Sequence, residues 1–264
     1  MQRPVRVAWF LRMDQQIEDV YGSATHAVDA HAEVIDEVLA RGDAIGLHIH
    51  AWRWRDGWID DYGDGDWVDE CIDRSFAAFA QAFGRPCALT RLGSRWFDDR
   101  AGRRLVEQRV AVDLTVEPGQ VDRPAGSVPH LDVGLPDHRR APRRLHEVVP
   151  GLVELPLTAG AKVLGRNLRA HLSRMRRHGL RERLDQPLPL GMPAHGPHPF
   201  GEQVRRSLAI QQRPYLAFAL RSDGLADATI GPRVRSHVAQ VLALPEADRF
   251  RFVGPEEAVG MLQP

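Results

Sequence analysis

Lysine is almost missing from this chain: Lys162 stands alone, and arginine supplies every other positive side chain. A GC-rich coding sequence is the simplest cause. Guanidinium forks that grip sugar or phosphate oxygens are a further one. Cysteine is scarce as well, with only Cys71 and Cys87, which excludes a disulfide framework and a cysteine-built zinc site. No run of about 18 apolar residues occurs, so no segment reads as a membrane-spanning helix. The N-terminus enters a strand without a hydrophobic leader, and the expected compartment is the cytoplasm. Net charge is absent too, because 35 basic residues balance 35 acidic ones. Nucleic acid and anionic membranes both demand a basic surplus, so neither is an expected partner.

What is present suits an α/β protein. The 264 residues are 43% hydrophobic, enough for one large domain over residues 1–264. Strands are expected at Val5–Leu11, Ala44–His48, Ala88–Leu92, Val110–Thr115, Leu152–Leu157, Leu216–Leu220 and Phe250–Val253. Helices are expected at Thr25–Ala40, Asp69–Phe83, Asp99–Gln108, Arg166–His178, Pro232–Leu244 and Pro255–Met261. A polar, proline-rich insertion covers about residues 117–149, and Gln186–Pro199 reads as irregular. Seven strands that mostly alternate with helices predict a parallel sheet, open or closed into a barrel. Such sheets bind ligands at the carboxyl ends of their strands.

The second strand carries the strongest signal there. Gly46-Leu47-His48-Ile49-His50 places two imidazoles two residues apart, hence on one face. An imidazole pair is the nucleus of a metal site. Asp14 follows the first strand and is a candidate third ligand, or simply the cap of the next segment. Arg91 and Arg221, at the third and sixth strand ends, are candidates to hold an oxyanion or carboxylate. Asp223 is a candidate base or a partner for a ligand histidine, and otherwise an Asx-turn residue before Gly224. Arg12 and Trp96 are further candidates to contact substrate. Trp52 and Trp54, with Trp58 and Trp67, form either a sugar-stacking platform or an apolar lid.

The order of these pieces resembles the polysaccharide deacetylase (NodB-homology) family. VAWFLR leading to VLARGDAIGLHIH is similar to that family's "ATFFV" strand and "ARGHEIGLH" segment. Arg91-Leu-Gly-Ser-Arg-Trp96 resembles its arginine-bearing third motif, and Arg104 to Asp113 its "LxxLGxxxD" segment. Glu154 to Thr158 resembles "IPxT", and Tyr215 to Asp223 occupies the place of the late "LxLH". A bacterial subgroup with "TWFLRxDxQ" and "IGxHxH" signatures is the most similar. The resemblance implies a distorted (β/α) barrel of about seven strands, partial TIM-like. It also implies hydrolysis of acetyl groups on a carbohydrate with a divalent metal: zinc, or alternatively cobalt, manganese or nickel.

Three departures accompany it. The family strand ending in an Asp-Asp pair is not matched before Val5, the histidines are two rather than four apart, and Arg221 stands where the late histidine is expected. The expected activity is therefore a metal-dependent deacetylase, impaired to the extent that the first motif is lost. A catalytically inactive carbohydrate-binding relative is the second expectation. An amidohydrolase-type metal enzyme, using His48, His50, Lys162, His195 or His198 and Asp223, is the third.

Overall fold

The computed structural model describes residues 5–128, 130–161, 185–188, 190–191 and 199–263. Lys162, His195, His198 and the expected helix Arg166–His178 lie outside these residues. Strand β1 (Ala8–Leu11) leads to α1 (Gln15–Tyr21), α2 (His26–Ala30) and α3 (Ala32–Ala40), then to β2 (Ala44–Ile49). A small hairpin, β3 (Trp52–Trp54) and β4 (Trp58–Asp60), precedes α4 (Gly65–Phe83), β5 (Leu89–Leu92), α5 (Asp99–Glu107) and β6 (Val112–Asp113). After a long connection come β7 (His146–Val149), β8 (Leu152–Glu154), β9 (Ala159–Ala161) and β10 (Asp185–Pro187). Helices α6 (Phe200–Ala209), α7 (Asp223–Ala226), α8 (Ile230–Leu242) and α9 (Pro255–Leu262) complete the described order.

Six strands form one sheet in the order β1-β2-β5-β6-β8-β7. Every pair is parallel except β7 with β8. One face carries Ile45, Leu47, Ile49 and Leu92, packed with Ile72, Phe76 and Phe79 of α4 and Leu105 of α5. The other carries Leu89, Val112, Leu114 and Leu155, covered by Val259 of α9. Alternation along the strands makes the division necessary, since both faces are buried.

The six-stranded, mostly parallel sheet is consistent with the partial α/β barrel expected, but it is not closed, and among the described residues two of the seven expected strands are not formed. At Leu216–Leu220 no strand is formed, and among the described residues the segment makes one backbone bond, Thr158 N to Ala217 O at 2.8 Å. The return donor, Ala217 N, goes to the Thr158 hydroxyl at 2.8 Å, so a side chain ends the ladder before it begins. Phe250–Val253 lies between a 3₁₀ turn at Ala247–Arg249 and α9, without a strand partner among the described residues. Smaller differences follow local chemistry. Helix α4 begins at Gly65 because the Asp64 side chain accepts from Trp67 N at 3.1 Å. The Thr25–Ala40 helix is interrupted at His31, whose φ of −127° and ψ of 33° are not helical. The last four residues of the expected 117–149 insertion are β7, which turns through Pro150-Gly151 onto β8. Among the described residues no helix is long and apolar enough to cross a membrane.

Two buried acids lie side by side in the sheet. Asp113 and Glu154 are register partners, and both are fully buried. Asp113 accepts from Thr90 Oγ1 at 2.8 Å and Thr115 N at 3.1 Å, while Glu154 Oε1 accepts from Val116 N at 2.9 Å. Burial, and then the Asp113 charge, push the Glu154 carboxyl well above its ordinary 4.5. The folded chain therefore holds this proton at pH values where the unfolded chain releases it. Stability conferred by the protonated acid is complete below 4.5 and is lost as pH rises through the folded value. The slope is about 1.4 kcal/mol per pH unit for one such proton. Glu154→Gln keeps a donor towards Asp113 without the titration. Its melting temperature is expected to gain on the wild type as pH rises from mildly acidic to alkaline. A constant difference across that range in paired thermal melts would contradict the assignment.

Candidate functional site

The carboxyl ends of β1, β2 and β5 converge on one polar cluster, and the hairpin β3–β4 folds over it. Parallel pairing sets the neighbours: His48 lies opposite Arg91, and Leu11 opposite Leu47. The His48 and His50 rings stand edge to face, 4.8 Å between centroids. His48 Nδ1 lies 2.7 Å from the Arg91 carbonyl oxygen. A carbonyl only accepts, so Nδ1 carries the proton and Nε2 keeps the lone pair. Burial first, then the nearby His50 and the guanidiniums of Arg91 and Arg12, hold His48 down to about 3. It is a neutral imidazole at any ordinary pH.

Asp14 lies beside the pair and is almost completely buried. Its side chain does not cap α1. Instead Arg12 grips both oxygens, Nε to Oδ2 at 2.9 Å and Nη2 to Oδ1 at 2.6 Å, and His50 N donates to Oδ2 at 3.3 Å.

His50 has a second acidic neighbour that the sequence did not single out. Its Nδ1 sits 2.6 Å from Asp60 Oδ2. That same oxygen accepts from Ser94 Oγ at 2.9 Å, and Asp60 Oδ1 accepts from Ala51 N at 2.9 Å. Asp60 is fully buried. The Tyr62 hydroxyl approaches it, and burial followed by the Asp60 and Asp14 charges pushes that phenol far up. Ser94 reaches Asp60 because the chain leaves β5 through two non-glycine residues in left-handed backbone, Ser94 at φ 51° and Arg95 at φ 59°. Such conformations cost about 1–2 kcal/mol each and cluster at functional sites. Gly93 is the other local requirement: a Cβ there would come within 2.3 Å of the His50 ring. A strand followed by Gly-Ser is a faint hint of such a turn. Asp60 carries no sequence signal, since the Trp-rich stretch around it reads as lid or platform.

The remaining expected site residues divide. Arg91 offers His48 its carbonyl, while its guanidinium turns to the Leu114 carbonyl and to Glu117 Oε1 at 2.7 Å. Arg95 donates to the other Glu117 oxygen at 3.2 Å. Trp52 stacks on His130, with centroids 5.3 Å apart, and neighbours His50 at 5.6 Å. Trp96 stacks on Tyr62 at 4.5 Å. Trp54 is exposed and meets Trp58 edge-on. Arg221 and Asp223, expected on the same rim, form an exposed pair at 2.8 Å, and Asp223 also accepts from Gly224 N. The strand meant to deliver them is not part of the sheet, which removes the reason for placing them there.

The donor set bears on a metal ion. Both imidazoles are tied through Nδ1 to an acceptor, which leaves Nε2 as the ligand atom, the usual arrangement around metal-bound histidine. Asp14 supplies a hard oxygen beside them, but Arg12 occupies it. No group of three His, Cys, Asp or Glu side chains among the described residues is disposed to hold an ion. Two imidazoles and a carboxylate are the kinds of donor a divalent cation takes, but here both Asp14 oxygens are held by Arg12.

No family model matches the chain, and no curated protein matches it. Among solved structures it is similar to a candidate polysaccharide deacetylase from Mycobacterium smegmatis, with a TM-score of 0.47 and 15% identity over 98% of this chain and 72% of that one.

Proposed function

We propose that this chain is a metal-dependent hydrolase that removes an acetyl group from a carbohydrate at the carboxyl rim of its sheet. The observation that carries the reading is the imidazole pair itself: His48 and His50, each with Nδ1 engaged and Nε2 left over, beside the buried Asp14 carboxylate. His48, His50 and Asp14 are the proposed ligands. A divalent ion so held, zinc before cobalt, manganese or nickel, would polarise the acyl oxygen and make a bound water nucleophilic near neutral pH.

The protein's own part is positional. His48 stays neutral because burial forbids its charge, so protons do not compete for it above about pH 3. Arg12, displaced from Asp14, is a cation free to receive a developing oxyanion. Arg91 and Arg95, braced on Glu117, make the wall beside the imidazoles. Trp54 offers the exposed apolar face that sugar rings stack on.

The Arg12–Asp14 grip favours a second reading, in which the guanidinium permanently fills the cation position and the rim binds glycan without hydrolysing it. One assay separates the two. The chain, stripped with chelator and then supplied with zinc, cobalt, manganese or nickel, is given acetylated chito-oligosaccharide and acetylated xylan, and acetate is measured. Metal-restored acetate release is expected. Oligosaccharide binding that ignores chelator, with no acetate from either substrate, would sink the hydrolase and leave the binding protein.

A further inference from the structure

The three hydrogen bonds around Asp60 specify more than packing. We propose that Asp60 is the positioning residue that holds His50 as its Nδ1–H tautomer, leaving Nε2 unprotonated at the rim. This deepens the reading of His50 as a ligand and rests on it for its consequence, though the tautomer itself does not depend on a metal.

An ionised carboxylate only accepts, so the short contact of His50 Nδ1 with Oδ2 at 2.6 Å requires the ring to donate there. The carboxylate is not free to turn. Oδ1 is fixed by Ala51 N and Oδ2 by Ser94 Oγ, and the side chain is fully buried. His50 is held from its other side by the absence of a Cβ at Gly93 and by its own N–H on Asp14. The β3–β4 register makes this possible: Asp60 lies opposite Trp52, at the root of the hairpin. The hairpin thus delivers an orienting acid to a histidine that belongs to the sheet.

The same geometry predicts what an amide does. In Asp60→Asn the Ala51 N–H demands an acceptor, which places the amide oxygen at the Oδ1 position and the NH₂ group at the Oδ2 position. That NH₂ then faces His50 Nδ1 and must find a lone pair. The imidazole responds by moving its proton to Nε2, so shape is kept while the useful nitrogen is lost. A residue that merely filled space would leave the tautomer alone.

The experiment uses the full, metal-free chain labelled with ¹⁵N-histidine, at a pH where the ring is neutral, with His50 assigned by its loss in His50→Gln. The wild type is expected to show a protonated Nδ1 and a bare Nε2, Asp60→Asn the reverse, and Ser94→Ala the wild-type pattern. A wild-type ring protonated at Nε2, or an unchanged tautomer in Asp60→Asn, would overturn the proposal. The wild-type spectrum decides it even if the Asn variant does not fold. Zinc affinity is then compared by calorimetry, and Asp60→Asn is expected to bind about 10–100-fold more weakly. A reversed tautomer with unchanged zinc affinity would uphold the role of Asp60 and overturn the ligand role of His50.

Discussion

Replacing His48 and His50 together by alanine should reduce zinc affinity by roughly a thousandfold or more, while the chain still folds. Structural zinc sites are worth about 10–16 kcal/mol over four ligands, so two imidazoles account for several kcal/mol. The fold should survive because neither ring belongs to the apolar cores on the two faces of the sheet. The cost in stability falls on what the rings leave behind. The Arg91 carbonyl loses one partner, and the buried Asp60 loses its His50 donor but keeps Ala51 N and Ser94 Oγ. A penalty of about 1–3 kcal/mol is expected from such under-satisfied groups. Calorimetric zinc titration and urea melts of the same preparations read both quantities. Zinc binding that survives the double substitution would remove the site from this rim.

The second large effect is expected at a residue with no functional group. Gly93→Ala places a methyl 2.3 Å from the nearest atom of the His50 ring. The backbone does not object, since Gly93 has no positive φ, so the collision must be resolved by the imidazole. Moving that ring off Asp60 breaks its 2.6 Å contact. Displacements of about 1 Å cost on the order of a hundredfold in function at a positioned site, and overpacking costs about 1–3 kcal/mol of stability. A cycle makes the cause visible. On a His50→Ala background the same Gly93→Ala change should cost little stability, because the obstacle is gone. Equal cost on both backgrounds would place the strain elsewhere.

Much of the rim was legible in the order of residues. His48 and His50 two apart on a strand, after a helix ending in Arg-Gly, fix which face they share and which end of the sheet they occupy. Asp14 was legible for the same reason, three residues beyond β1. The expected strands are missing, among the described residues, where pattern is weakest. An apolar run such as Leu216–Leu220 says only that the segment is buried, and pairing depends on which acceptor is nearest. Here the Thr158 hydroxyl takes the place of a backbone carbonyl. Arg221 and Asp223 went with that strand and pair with each other in the open.

The sequence alone determined the strand-helix alternation, the buried faces and the paired imidazoles, because those follow from side-chain period along one element. Only the tertiary structure decided what those imidazoles touch. Asp60 arrives ten residues later on a separate hairpin, Ser94 from the exit of β5, and Arg12 folds back onto Asp14. Hydrogen-bond partners at this rim come from different elements whose approach is set by packing, and no local pattern encodes which donor reaches which acceptor.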